Sequence, residues 1–175
     1  MIILSLDIKS NMEYDKLKEV IFMALREIIS DGDELLRKKC KPVTSFDKKL
    51  WQLLDDMKET MVNADGLGLA APQVGILRRI AVVDMEDGIL ELINPEIISQ
   101  KGKQCETEGC LSFPGQYGYV NRPMFVKVRA QDRHGNFFEV EGKELYARAF
   151  SHEIDHLDGI VFIDKVIEMV DVEGR

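Results

Sequence analysis

Two histidines, His152 and His156, constrain the fold more than any other feature, because only Glu153, Ile154 and Asp155 separate them. Residues four apart lie on one face of an α-helix, so both imidazoles can bind a single metal ion if this segment is helical. The glutamate between them is placed to handle the protons of a water molecule on that metal. Since two ligands do not make a site, the fold has to bring a third donor to this helix.

The sequence predicts three helices. The closing helix, over about residues 145–157, carries both histidines, and Gly159 is placed to end it. A second helix is predicted over about residues 46–63, where apolar side chains form one stripe. The same spacing recurs over residues 13–29 and predicts a helix there as well.

Runs rich in β-forming residues predict two antiparallel hairpins. One pairs residues 79–85 with 89–93, and the other pairs 125–130 with 137–141. Helices and hairpins without alternating βαβ units are typical of the α+β class. We therefore predict antiparallel hairpins and sheets packed around a central helix that carries the H-E-x-x-H sequence.

Composition limits the classes of function. A length of 175 residues with 45% hydrophobic content fits one compact domain. The net charge of -8, with basic residues dispersed among acidic ones, argues against direct nucleic-acid binding. Neither a secretory signal nor a run of about 20 apolar residues occurs, and three cysteines fit a reducing compartment. We expect a cytoplasmic protein without membrane contact.

The third ligand has several candidates among His, Cys, Asp and Glu. His134 lies in a polar turn, which favours a solvated loop residue, and Glu168 and Glu173 are the only glutamates after His156. The segment 105–115, CETEGCLSFPG, offers Cys110 next to glycine and close to proline, as suits an irregular or edge segment. A buried, inert thiol is the usual state of a free cysteine, and we assign Cys105 to it.

A further segment, GLGLAAPQVG at residues 66–75, has glycines and small residues of the kind that another group can approach closely. Read alone, it indicates a tight turn after a helix. Together, GLGLAAPQ, EGCLS and HEIDH in this order resemble the three signature motifs of the peptide deformylases. The resemblance extends over about residues 23–165, from MALREI to HLDGIVF.

The resemblance implies that Cys110, His152 and His156 hold one divalent metal ion, with a fourth position left to water. Fe(II) is the metal that the family prefers, and zinc or nickel can occupy the same ligands. The implied reaction is hydrolysis of the N-formyl group from the initiator formyl-methionine of nascent polypeptides, which releases formate. Glu153 would move the proton of the attacking water to the departing amine.

Further site residues follow from the same resemblance. The side-chain amide of Gln73 and the backbone N–H of Leu111 would stabilise the developing charge on the formyl oxygen. Gly68 would contact the peptide backbone, and Leu67 would line the methionine pocket. Glu108 and Arg122 match positions associated with that pocket and with peptide binding.

The chain departs from the family pattern in three places. Ser151 stands before the histidine pair where the family commonly has glutamine. Residues 1–22 precede the usual start, so we expect an N-terminal extension followed by one catalytic domain at 23–175. The tail after Lys165 is short, which bears on transient docking to the ribosome. We expect a monomer, given the absence of a heptad pattern.

Three other classes of protein fit parts of the pattern. A zinc peptidase would share the helix but needs a downstream glutamate ligand. A metal-stabilised binding module would use the ion to close the fold, although structural zinc sites normally have four protein ligands. An inactive deformylase homologue would keep the fold, and Ser151 is the residue that favours it.

Overall fold

A computed structural model describes residues 24–170 of the protein. In this part of the chain the helices are α1 (Lys48–Asn63) and α2 (Leu145–Leu157), with 3₁₀ turns η1 (Glu34–Arg37), η2 (Ala71–Val74) and η3 (Phe162–Lys165). The strands are β1 (Gly68–Ala70), β2 (Ile80–Met85), β3 (Gly88–Lys101), β4 (Gln104–Cys110), β5 (Phe113–Arg122), β6 (Phe125–Gln131), β7 (Phe137–Lys143) and β8 (Val166–Met169). All named strand pairs are antiparallel, so the fold is α+β as predicted.

Two sheets organise the structure. The larger has the strand order β1-β2-β3-β6-β7 and the smaller β4-β5-β8. Strand β2 is buried on both faces, because Ala81 and Val83 pack with buried side chains of α2 while Ile80 and Val82 pack with those of α1. The five-stranded sheet therefore lies between the two helices, and the small sheet is left to approach one end of α2.

The predicted helices at 46–63 and 145–157 are confirmed as α1 and α2, and both predicted hairpins are present as β2–β3 and β6–β7. Asp47 caps α1, where its side chain accepts hydrogen bonds from the backbone of Lys49 and Leu50. Gly159, at φ 77°, ends α2 as expected, and its N–H donates to the carbonyl of His156.

The helix predicted over residues 13–29 is wrong for 24–29, which are irregular, and its remainder lies outside the described residues. Side chains of α1 capture this segment instead. The N–H of Ala24 donates to Asp56 Oδ1 at 3.1 Å, and the N–H of Arg26 donates to Thr60 Oγ1 at 2.9 Å. Tertiary hydrogen bonds have thus replaced the helical ones that periodicity suggested.

No helix within residues 24–170 combines the length and the apolar composition that crossing a membrane requires.

Helix α2 begins at a strained residue. Glu144 precedes it with φ 51° and ψ -113°, outside the regions that L-residues normally occupy, and its side chain makes no cap hydrogen bond. The backbone is held there because the Glu144 N–H donates to the Met124 carbonyl at 2.9 Å and its own carbonyl accepts from Gln104 Nε2 at 2.9 Å. Glycine adopts such dihedral angles without steric cost.

Glu144→Gly is therefore expected to stabilise the protein. Relief of backbone strain, about 1–3 kcal/mol, outweighs the roughly 0.5–1 kcal/mol of extra chain entropy that glycine brings to the unfolded state. Thermal unfolding should show a rise in Tm of about 2–4 °C for a domain of this size. Glu144→Ala is the control, since it removes the same side chain and keeps the strain. An equal rise in both variants would contradict the strain explanation.

Candidate active site

Three potential metal ligands converge between the small sheet and α2. The ligand atoms of Cys110, His152 and His156 all lie within 4.8 Å of one another, and no other His, Cys, Asp or Glu of residues 24–170 joins this cluster. Cys110 is the last residue of β4, directly before the two-residue turn Leu111–Ser112 that leads into β5. Both histidines project from consecutive turns of α2, as their spacing predicted.

The donor set fits a metal ion. Cys110 Sγ and His156 Nε2 are 3.3 Å apart, close to the roughly 3.6 Å that separates thiolate and imidazole ligands on a tetrahedral metal. Burial lowers the pKa of His156 well below its usual range, which keeps this imidazole in the neutral form that metals bind. Three protein ligands rather than four are typical of catalytic sites, which keep one position open.

A buried ion-pair network orients His152. Its Nδ1 hydrogen-bonds Glu108 Oε2 at 3.0 Å, which leaves Nε2 to face the cluster. Arg122 binds Glu108 through Nε at 2.8 Å and Nη2 at 3.0 Å, and pairs with Asp155 through Nη1. Lys165 Nζ completes the network at 2.8 Å from Asp155. Burial opposes ionisation of Glu108, but hydrogen bonds from His152 and Arg122 outweigh it and lower the pKa of Glu108 to about 2.

Glu153 lies at the floor of the site. It is only 4% exposed, and its Oε2 has no hydrogen-bond partner among the described residues. Burial raises the pKa of Glu153 to about 7. A Cβ on Gly68 would come 2.8 Å from Glu153 Cδ, so glycine at this position makes room for the carboxylate.

The amide of Gln73 is fixed by its own oxygen. Gln73 is buried in η2, where Oε1 accepts a hydrogen bond from the Ala70 N–H at 2.8 Å. Nε2 is thereby directed at the metal-ligand side, 3.5 Å from Cys110 Sγ and 3.3 Å from Ser112 Oγ. A donor held in this way needs no reorganisation when negative charge develops in front of it.

A cavity of about 560 Å³ opens in front of these residues. Its wall includes most of the residues that the sequence singled out: Leu67, Gly68, Gln73, Glu108, Cys110, Leu111, His152 and Glu153. The side chain of Leu111 packs over Gly66, where a Cβ would lie 2.7 Å from Leu111 Cδ1. Gly66 and Gly68 thus permit the close approaches that the pattern of this segment indicated.

Arg122 lies behind Glu108 rather than at the surface of the cavity. It is 4% exposed and, among residues 24–170, is not part of the cavity wall. Three further residues of this region, Asp155, Gln104 and Arg148, were not predicted from the sequence. Asp155 pairs with Arg122, and Gln104 Oε1 accepts a hydrogen bond from the cavity residue Arg148 at 3.0 Å. The position of Asp155 three residues after His152 was the available signal, whereas nothing marked Gln104 or Arg148.

Ser151 is satisfied inside its own helix. It is 5% exposed, and its hydroxyl donates to the Ala147 carbonyl one turn earlier at 2.7 Å. This bond turns the side chain towards the helix backbone. The substitution therefore leaves the distances among Gln73, Cys110 and the histidines compatible with metal binding.

The other ligand candidates lie elsewhere. Glu168 is exposed on β8 and pairs in register with Tyr119 rather than joining the ligand cluster. His134 packs edge-on against Trp51, with ring centroids 5.2 Å apart. Cys105 is exposed, not buried as an inert thiol would be, because it lies on the outer face of the edge strand β4. Glu173 lies outside the described residues.

Comparison with known families gives a match over residues 25–171 to the model of the family described as polypeptide deformylase. Among curated proteins, the peptide deformylase of Alkaliphilus metalliredigens is 57% identical over 146 residues, which are 83% of this chain and 99% of that protein.

Solved structures give similar matches. The crystal structure of peptide deformylase from Thermotoga maritima has a TM-score of 0.80 and 43% sequence identity, and the match covers 82% of this chain and 98% of that one. The Met-Ala-Ser-bound class I type b peptide deformylase from Acinetobacter baumannii has a TM-score of 0.79 and 31% identity. That match covers 83% of this chain and 100% of the other.

Proposed function

Because the chain belongs to the polypeptide deformylase family, we propose that Cys110, His152 and His156 bind the metal ion of its active site and that Glu153 acts as general base and acid. The enzyme is a metallohydrolase that removes the N-formyl group from the initiator formyl-methionine of nascent polypeptides. The convergence of one thiol and two imidazoles beside a buried carboxyl is the observation that supports this assignment of roles.

Glu153 handles the protons of the reaction. Cys110, His152 and His156 would hold a divalent metal, which when bound would lower the pKa of a water molecule and polarise the formyl carbonyl. The Glu153 carboxylate accepts a proton from the attacking water and delivers it to the amine nitrogen of methionine as the formamide C–N bond breaks. Burial raises the pKa of Glu153 above its usual range, which makes this carboxylate a stronger base than a solvated glutamate for the first proton transfer.

The formyl oxygen gains negative charge as water adds, and we assign its stabilisation to two hydrogen-bond donors. Gln73 Nε2 and the backbone N–H of Leu111 flank Cys110 from different elements, η2 and the β4–β5 turn. Preorganised donors of this kind are each worth about 3 kcal/mol in the transition state.

The peptide is held by the walls of the cavity. Gly68, at the start of β1, offers backbone groups for an extended substrate, and Leu67 lines the space for the methionine side chain. The Acinetobacter relative binds Met-Ala-Ser, which supports a cavity that receives the residues after methionine. Direct peptide binding by Glu108 and Arg122 stays a prediction, and their contacts favour a role in positioning His152.

Formate release from formyl-Met-Ala-Ser tests the function directly. Protein purified without oxygen and loaded with iron should release one formate per peptide. Metal-stripped protein is the matched control and should release none. Cleavage of internal peptide bonds without formate would indicate a peptidase instead.

Fe(II) is the proposed native metal, with zinc or nickel able to replace it at the same ligands. A thiolate beside Fe(II) leaves the site open to oxidation, whereas Zn²⁺ has no redox chemistry. Iron-loaded enzyme is therefore expected to lose most of its activity under peroxide, while zinc-loaded enzyme keeps its own. Stable activity of the iron-loaded enzyme under peroxide would contradict this prediction.

The setting of the enzyme is also part of the proposal. We place it in the cytoplasm as a monomer that acts on nascent chains and meets the ribosome only transiently. The catalytic domain comprises residues 23–175 and the extension residues 1–22. The family match from residue 25 supports this boundary.

A further inference from the structure

Two tyrosines leave the cavity along β5. Tyr117 lines the cavity and is 42% exposed, and Tyr119, two residues further along the strand, is 41% exposed. Side chains two apart on a strand lie on the same face, so both rings stand on the outer face of the small sheet. Large aromatic side chains exposed next to an active-site cavity are candidates for substrate contact.

Register connects this face to the cavity. Tyr117 lies opposite Gly109, where a Cβ would come 2.7 Å from Tyr117 Cε1, so the ring covers the residue before the metal ligand Cys110. Tyr119 lies opposite Thr107, which also lines the cavity. The outer face is therefore continuous with the cavity wall rather than a separate patch.

The substrate has to continue outwards from the site. The formyl group occupies the N-terminal end of the peptide, so every residue after methionine extends away from the metal ligands. An extended peptide places alternate side chains on one face about 6.6–7 Å apart, which is also the spacing of two residues along β5. Both tyrosines can thus contact alternate side chains of one strand-like peptide.

Resting on the proposed function, we infer that Tyr117 and Tyr119 form a binding track for downstream residues of the nascent chain, selective for apolar or aromatic side chains at alternate positions. Glu168 lies opposite Tyr119 on β8, and this carboxylate disfavours acidic side chains at the outer position. The track extends the substrate contacts beyond the methionine pocket.

The test compares formyl-Met pentapeptides of equal length. One set carries phenylalanine at residues 2 and 4 or at residues 3 and 5, a second has aspartate at those positions, and a third has alanine throughout. The parent enzyme should prefer phenylalanine over alanine in one register by roughly two- to tenfold in kcat/KM, mostly through KM, and should prefer aspartate least.

Tyr117→Ala and Tyr119→Ala should each reduce the phenylalanine-to-alanine ratio by roughly two- to tenfold, and Tyr119→Phe should retain it. Phe137→Ala is the matched control, because Phe137 is 71% exposed on β7 of the other sheet and should leave the ratio unchanged. A parent without preference, or variants that keep the ratio, would overturn the track. A change in oligomeric state of the tyrosine variants, with the phenylalanine-to-alanine ratio intact, would also overturn the track.

Failure of this inference is separable from failure of the proposed function. If the all-alanine peptide releases formate but no register of phenylalanine is preferred, only the track is wrong. If no peptide of any set releases formate, the deformylase function itself fails, and the track fails with it.

Discussion

Glu153→Gln is expected to lower kcat for formate release by roughly 10²- to 10⁴-fold, the range that a positioned general acid and base contributes. The substitution keeps the size of the side chain, so the close contact with Gly68 and the packing of α2 are preserved. It removes the group that accepts and returns the proton, and Glu153 is not itself part of the ligand cluster. Metal content should therefore stay near that of the parent enzyme, as measured by elemental analysis of the same samples.

Glu144→Gln is the matched control for that result. It makes the same chemical change at the start of the same helix, where the side chain is 64% exposed. Activity within about twofold of the parent is expected, since surface substitutions of this kind change little. If Glu153→Gln kept both its metal and its full rate, another residue would have to carry the proton, and the mechanism above would be wrong.

Cys110→Ala should abolish activity by removing the metal. Loss of a residue that only supports a ligand typically costs 10- to 100-fold in metal affinity or activity, and loss of the ligand itself should exceed about 100-fold. Bound metal should fall from about one per chain to a trace. Cys110→Ser offers a weaker oxygen ligand, so its metal content and activity are expected to lie between those of the parent enzyme and those of Cys110→Ala.

Cys105→Ala provides the comparison within the same strand. Cys105 is exposed on β4, five residues before Cys110, and its loss should change neither metal content nor rate. Retention of the metal by Cys110→Ala is the result that a zinc peptidase predicts, because its third ligand would lie elsewhere. Far-ultraviolet circular dichroism of each variant separates loss of the ligand from loss of the fold.

The sequence predicted those elements whose signals are local. Helix α2 was predicted because the spacing of its two histidines and Gly159 agree, and both hairpins because β-forming runs flank polar turns. The small sheet was missed because β4 and β5 contain Gly109, Gly115, Gly118 and Pro114, which weaken any strand signal. Its pairing depends on contacts with α2 and η3 that no local pattern encodes.

The candidate site, too, was predictable from the sequence only in part. Motif spacing placed both histidines on one helical face, and the resemblance supplied Cys110 and Gln73 from distant segments. The network behind His152 could not be foreseen, because Glu108 and Arg122 meet only when β4 and β5 pair. The register of strand pairing decides whether such a pair faces the substrate cavity or the metal ligand His152. Residue identity alone does not carry this information.

The metal ligands come from two different structural elements, and this affects the stability of the protein in a cell. Cys110 belongs to the small sheet, whereas both histidines belong to the helix that packs on the large one. Occupancy therefore adds to folding stability, by about 2.7 kcal/mol when free metal is a hundredfold above its Kd. Protein molecules without the metal should open more often between the small sheet and α2, and they should be degraded first. Metal supply would then set how many enzyme molecules survive as well as how many are active.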